Sequence, residues 1–589
     1  MKRFSSVAVS LAVVLALATC LAAQPHQSKK SLKIVGTARI GDAKSAPTEV
    51  GSETMTGPEV DVTFTKPQIS GAISPSRVPS AHVPRPAGSA IVGTESDNFS
   101  GFAGLTHLDQ RLASGGNQFT LEPPDQGLAV GNGFVVEAVN AAVAVYDTSG
   151  KRLSGPTALN AFFGLPPAII RHTPPTPPTF GPFPADPRVY FDNDTGRFFL
   201  TLLTLGLDVN GNFAPPSIIY IAVSQTSDPT ANWTILSLDV TADGGPFSPC
   251  PCFGDQPLIG ADANGFYIST NAFNISTESF SGANIYAMSK TALESASAGA
   301  APTVVRLSNL TEAGLPFAFT VQPASTAPGG THATNTEYFV SALDFTNTVD
   351  NRLVVWALTG TNTLDSASPS LNLTNAVVNT QSYGAPPNAQ QKAGVFPLGM
   401  SLKEHEELVA SNDDRLQQVV FAAGNLWTAL NTSAKTANGP VRTAAAFFIL
   451  TPSVSGGQVS ATVANQGYVA INSPSQDSVL YPSIAVNKDG QGLMGFSIVG
   501  LDFFPSTGYV PIDAVHGAGA IRIAATGAGP DDGFTGYVAE GGARVGRWGD
   551  YSAAVAYASG SLWLAGEYIP DSPRTLLANW GTFISKVTP

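Results

Sequence analysis

"GDQPLIGADANGFYISTN" (254–271) sets an Asp-Gln-Pro step before a short apolar run, then a turn of Asp, Asn and Gly, then a second apolar and aromatic run ending on Asn. Two short runs rich in β-branched and aromatic residues, separated by such a turn, read as a β-hairpin. Close variants recur at "PDQGLAVGNGFVVEAVN" (124–140) and "RWGDYSAAVAYASGSLWLAGEY" (547–568). Between them lie further second strands at "GRFFLTLLTL" (196–205), "TEYFVSAL" (336–343), "GNLWTALN" (424–431) and "GQGLMGFSIV" (490–499), each with a partner strand before it, "FAFTVQ" (317–322) being the one before "TEYFVSAL". Third strands follow at "SIIYIAVSQ" (217–225), "ANIYAMSK" (283–290), "RLVVWALTG" (352–360), "AAAFFILTP" (444–452) and "AIRIAATG" (520–527), and fourth strands at "NWTILSLDV" (232–240) and "TVVRLS" (303–308).

Short strands in repeated units predict an all-β chain, a seven-bladed β-propeller of four-stranded blades. Asp125, Asp186 and Asp255 lie 61 and 69 residues apart, more than the ~40–50 residues of compact propeller repeats, so the blades carry long loops. The stretch 317–378 fits the repeat least well, which leaves six and eight blades as alternative counts. Helices are disfavoured because 58 glycines and 45 prolines punctuate the chain, and both residues are costly inside a helix. The last unit stops at its third strand, "WGTFISKV" (580–587). An unpaired edge is usually covered, so a strand from about 92–120 is expected to complete the final blade.

Only 12% of the 589 residues are charged and the net charge is −13. That balance excludes a phosphate-binding surface, and with it nucleic acid as a partner. "MKRFSSVAVSLAVVLALATCLAAQ" joins Lys2 and Arg3 to a short apolar run and small residues at Ala22 and Ala23. It reads as a secretory signal over residues 1–23, hence export to the periplasm, cell surface or medium, with no membrane span. "LATC" (17–20) approximates a lipobox, so a lipid anchor on Cys20 is the alternative fate of this segment. Residues 24–90 are rich in Ser, Pro and Thr and read as a disordered leader, which leaves 91–589 for the propeller. A monomer is expected.

Beyond the signal only Cys250 and Cys252 remain, in "SPCPCFGD". In an oxidising compartment they are expected to form a disulfide, with free thiols as the alternative. Two thiols do not make a tetrahedral metal site. His172, His332, His405 and His516 are scattered without ligand spacing, and "EHEE" (404–407) reads as a solvated charged loop. No cofactor and no metal site is expected; structural calcium is the one ion considered.

Propeller geometry brings the start of each first strand and the end of each second strand to one axial mouth. Asp125, Asp186, Asp255, Asp413 and Asp550 then form a partial ring, with Asn140, Asn271, Asn431 and Glu567 beside it and Arg188, Arg415 and Arg547 nearby. Crowded carboxylates and arginines suit a polar ligand, either a glycan or a protein. Asp and Asn also cap turns by bonding local backbone amides. Their repetition in nearly every unit favours that structural role for any single Asp.

"TSDPTANW" (226–233) places Thr, Asp and Trp at the spacing of the sialidase Asp box, S/T-x-D-x-G-x-x-W, with Thr230 where that pattern has Gly. The stretch resembles the box of sialidase-like propellers, where it is a structural turn between third and fourth strands. The same resemblance implies Asp550, Tyr551 and Glu567 as catalytic candidates and three arginines as carboxylate holders. The family's Arg-Ile-Pro element is absent, however, and Arg188, Arg415 and Arg547 are not in matching blade positions. The elements "EPPDQGLAVGNG", "GDQPLIGADANGFYISTN" and "RWGDYSAA…ANWGT", over roughly 99–589, also resemble uncharacterised exported bacterial β-propeller proteins. That likeness implies the fold and export, and no catalytic residue. The reading is an exported propeller that binds a glycan or protein at its axial mouth. A sialidase-like glycoside hydrolase and a structural or adhesion module of the cell envelope are the alternatives.

Overall fold

The computed structural model describes residues 25–42, 82–92, 98–173, 175–296, 300–312, 315–343 and 349–589. The expected signal and Cys20 lie outside these residues. Strands dominate, and the few helices are short. Outside the fourth sheet each hairpin expected from the sequence forms, its two strands paired antiparallel. The first sheet runs Gly127–Gly131, Phe134–Val139, Ala142–Asp147, Arg152–Ala158. Later sheets start from inner strands Phe183–Asp192, Cys252–Ala261, Gln322–Thr326, Leu416–Ala422, Ser478–Val486 and Ala553–Ala556. Each inner strand contacts the next, and Ala553–Ala556 contacts Gly127–Gly131.

Between neighbouring sheets lies the core. Trp233 of the second sheet meets Phe162, in the short helix Leu159–Phe162 that follows the first sheet, edge-on at 5.8 Å, and all six tryptophans are buried. Many strands are buried at consecutive positions, so each sheet offers an apolar face to each neighbour.

The final sheet is built from both ends of the chain. Phe99–Thr106 pairs antiparallel with Gly581–Val587, which in turn pairs with Leu562–Tyr568. The strand thus comes from the region that the unpaired edge called for.

Two expectations are corrected. The segment 24–90, read from its composition as a disordered leader, carries the strands His26–Ser31 and Lys33–Ala38. They add as fifth strands to the outer edges of the third and second sheets, against Thr303–Ser308 and Trp233–Asp239. An outermost strand is held by backbone pairing and buries little apolar surface, so low hydrophobicity did not exclude it. Leu32, at the crossing between the two strands, is buried. In the fourth sheet, "FAFTVQ" (317–322) was expected as the inner strand, but the strand begins at Gln322. Thr320 takes a left-handed φ of 49°, which interrupts an extended chain. Phe317 and Phe319 instead pack on Phe280.

Candidate functional site

Near the start of several inner strands one non-glycine residue is left-handed: Asp125 (φ 48°), Asp186 (53°), Gln256 (50°), Thr320 (49°) and Tyr481 (53°). Proline follows three of them, at Pro187, Pro257 and Pro482, and the pairing register slips at each of those points. Such backbone costs roughly 1–3 kcal/mol and persists only where its surroundings impose it. Here the backbone N–H is captured by a side chain of the preceding sheet. Asp186 donates to Asn140 Oδ1 (2.9 Å), Gln256 to Asp186 Oδ2 (3.1 Å), Thr320 to Asn271 Oδ1 (2.8 Å) and Tyr481 to Asn431 Oδ1 (2.7 Å). The recurring Asp and Asn of the sequence are therefore fasteners between sheets. The counterpart of Asp186 in the third sheet is Gln256, one residue beyond the Asp255 that the sequence pattern aligns with it.

These bonds join into a closed circuit around the strand starts. Asn140 Nδ2 donates to Asp125 Oδ2 (2.9 Å), and Asp125 Oδ1 accepts from the N–H of Asp550 (2.8 Å). Asp550 Oδ1 accepts from Asn412 Nδ2 (3.0 Å), whose Oδ1 accepts from the N–H of Asp413 (2.9 Å). Arg415 grips Asp413 with Nε and Nη2 (2.8 and 2.9 Å) and donates Nη1 to Gln256 Oε1 (2.8 Å). Gln256 and Asp186 then lead back to Asn140. Of the expected site residues, Asp125, Asp186, Asp413, Arg415 and Asp550 belong to this circuit. Arg547 joins it through Asp550 (2.7 Å). Asp255 acts on Arg415 through its charge, and Asn271 serves Thr320 apart from the circuit.

Among the catalytic candidates, the Tyr551 hydroxyl donates to the carbonyl of Pro187 (3.1 Å), and Glu567 Oε2 accepts from the N–H of Gly549 (2.9 Å). Burial pushes the Glu567 carboxyl well above its ordinary range, and the nearby Asp531, Asp125 and Glu122 add to the effect. Burial likewise raises Asp531 to about 7. In "EHEE" Glu404 bonds the N–H groups of Val538 and Ala539 (3.0 and 2.7 Å), and burial raises Glu406 to about 7. That loop is anchored, where a solvated one was expected. Among the described residues no group of His, Cys, Asp and Glu is arranged to hold a metal. Cys250 and Cys252 are joined as a disulfide.

Inward of the circuit, a cavity of about 110 Å³ is lined by every inner strand, from Gln126, Arg188 and Ser552 near their starts to Val130, Ala327 and Ala556 near their ends. Ala and Val are the commonest residues of its walls; its polar groups are Arg188, Gln126, Gln322, Gln417, Gln418 and a few hydroxyls. The circuit residues Asp125, Asn140, Asp186, Gln256 and Arg415 are buried. Thr326, Pro328 and Ala556 at the far end are partly exposed, which places the channel's opening there. The glutamines were not among the expected site residues. The available signal was a Gln just inside the strand start, in "DQG", "VQP" and "LQQ".

No protein-family model and no curated protein matches the chain. Solved structures similar to it include the phage phi92 endosialidase (10% identity over 68% of this chain and 66% of that one, TM-score 0.27). A Trypanosoma rangeli sialidase (9%, 75% and 56%, TM-score 0.28) and an exo-β-1,3-galactanase from Clostridium thermocellum (11%, 79% and 93%, TM-score 0.27) are others. The chain spans less than two thirds of the length of either sialidase. TM-scores of this size fall short of a shared fold, so the channel and circuit themselves have to carry any functional conclusion.

Proposed function

We propose that this chain is an exported seven-bladed β-propeller that binds a polar ligand, a glycan, in its axial channel. The ring is supported by inner strands that contact one another in cyclic order and by a last sheet shared between the two ends of the chain. Export rests on the N-terminal pattern of residues 1–23.

One observation carries the binding reading. Gln417 is only 2% exposed and lines the channel, yet among the described residues neither its Nε2 nor its Oε1 has a hydrogen-bond partner. Buried amides are almost always bonded, and leaving one unbonded costs roughly 1–3 kcal/mol. Gln126 Oε1 and Gln322 Oε1 stand in the same state in the same channel. Polar groups offered to one cavity from several sheets suit a hydroxyl-rich guest. The test is a glycan array followed by calorimetry on the purified chain and on Gln417→Ala. Binding that weakens at least tenfold supports the reading, and binding that ignores the substitution removes it.

Hydrolysis of the sialidase kind has less support. Arg415 and Arg547 are engaged by Asp413 and Asp550, and the Tyr551 hydroxyl by a backbone carbonyl. Chromogenic glycosides are expected to give no turnover; turnover abolished by Glu567→Gln would restore that alternative.

A further inference from the structure

Arg188 is the cation in this channel that its surroundings leave unmatched. Its guanidinium lies over the Tyr551 ring, with Cζ 3.1 Å from the centroid. Among the described residues no carboxylate pairs with it, and its buried Nε and Nη2 have no acceptor. Neighbouring arginines differ. Arg415 is held by Asp413, Arg547 by Asp550 and Arg574 by Asp532. Stacking on Tyr551 uses the face of the guanidinium. It leaves the in-plane N–H groups unused, and those form a fork that matches a planar, two-oxygen anion. A hydroxyl could accept one such bond but would leave the charge uncompensated.

Resting on the reading that the channel is a binding site, we propose that its ligand is a small organic acid whose carboxylate seats on the Arg188 fork. Gln126 and Gln417, which line the same cavity, bond polar groups next to the carboxylate. The body of the molecule lies along Ala129, Val189, Ile259 and Val555 toward the strand ends. The guanidinium is held in place without help from the guest, by the Tyr551 stack on one side and by the Tyr551–Pro187 bond that fixes its neighbour in the chain. The fork is therefore preorganised, and the ligand need not order it on arrival.

The experiment is calorimetry on the purified chain with four probes: glucuronate, butyrate, methyl β-glucoside and inorganic phosphate. The same titrations are run on Arg188→Gln and Arg188→Lys. Binding of glucuronate or butyrate that falls at least tenfold in Arg188→Gln, with Arg188→Lys intermediate, supports the proposal. Preference for glucuronate assigns the carboxylate to a sugar acid; equal binding of butyrate assigns it to a free organic acid. Methyl β-glucoside bound equally by all three proteins overturns the proposal and leaves the glycan channel standing. Phosphate bound more tightly than either carboxylate also overturns it. If no probe binds and the glycan array is blank, both readings fall. Should a variant fold poorly, the wild-type chain decides alone: its melting temperature should rise with either carboxylate and not with methyl β-glucoside, and the reverse pattern overturns the proposal.

Discussion

Asn140 Oδ1 accepts the backbone N–H of Asp186 at 2.9 Å, so a side chain of the first sheet holds a left-handed residue of the second. The same amide donates Nδ2 to Asp125 and to the carbonyl of Pro123. Replacing Asn140 by Ala removes all three bonds, strands a buried N–H and leaves Asp186 without the contact that stabilises its φ. A single stranded group costs roughly 1–3 kcal/mol, so Asn140→Ala is expected to cost about 3 kcal/mol in urea denaturation. A loss under about 0.5 kcal/mol, within the range of ordinary surface substitutions, would show that the fastener is ornamental.

Glu137 makes stability depend on pH where the two ends of the chain meet. Its carboxylate accepts from the Leu105 N–H (2.9 Å), the Tyr146 hydroxyl (3.2 Å) and the Thr582 hydroxyl. Burial outweighs these bonds and raises its pKa from 4.5 to about 7. A carboxyl that titrates near 7 folded and near 4.5 unfolded holds its proton longer in the native state. Its contribution is fully present below about 4.5 and is lost as pH rises through about 7, amounting to about 3 kcal/mol. Asp531, raised to about 7 by burial, acts in the same direction. Chemical denaturation across pH 4–8 should show stability falling with pH, and Glu137→Gln should flatten that slope without abolishing it. An unchanged slope in the variant would place the titration elsewhere.

Closure of the last sheet gives a deletion experiment with two arms. Removing residues 1–38 takes away the fifth strands on the second and third sheets and leaves complete four-stranded sheets behind. Removing residues 1–106 also takes Phe99–Thr106, exposing the edge of Gly581–Val587 and freeing Glu137 from its Leu105 partner. An exposed edge strand invites aggregation. The shorter deletion should remain monomeric by light scattering with a modestly lower melting temperature, and the longer one should aggregate. Equal behaviour of the two would show that closure contributes little.

How far the sequence could be read follows from what each feature depends on. Hairpins such as 254–271 were legible because strand period and turn chemistry are local. The closing strand was legible because an unpaired edge at 581–587 has to be covered. His26–Ser31 and Lys33–Ala38 were not, since an outer strand recruited by backbone pairing leaves no apolar signature. Aligning Asp255 with Asp186 failed by one residue because the left-handed position is defined by φ and by the following proline, and Gln256-Pro257 meets both conditions. The circuit residues were recognisable as a group from their repetition, although the channel opens at the opposite end of the strands. Their bonding to one another depends on side-chain contacts across sheets, and so does the isolation of Arg188; neither leaves a trace in any single stretch of chain.

Arg415 separates the circuit from the channel and offers the sharpest distinction between holding the fold and binding a ligand. Its Nε and Nη2 are taken by Asp413 and its Nη1 by Gln256, whereas among the described residues nothing accepts from Nε and Nη2 of Arg188. Substituting Arg415 by Met keeps the length of the side chain but unlinks the fifth sheet from the third and leaves Asp413 without its cation. Breaking a fully buried pair costs roughly 3–5 kcal/mol. The Asp413 side chain is still 18% exposed, and water compensates part of the loss, so about 2 kcal/mol is expected. Measured well below the melting transition, the affinity of Arg415→Met for a channel ligand should stay within about twofold of wild type, since no donor of Arg415 is offered to the cavity. A tenfold loss of affinity in a folded Arg415→Met protein would move the binding site from the channel to the circuit.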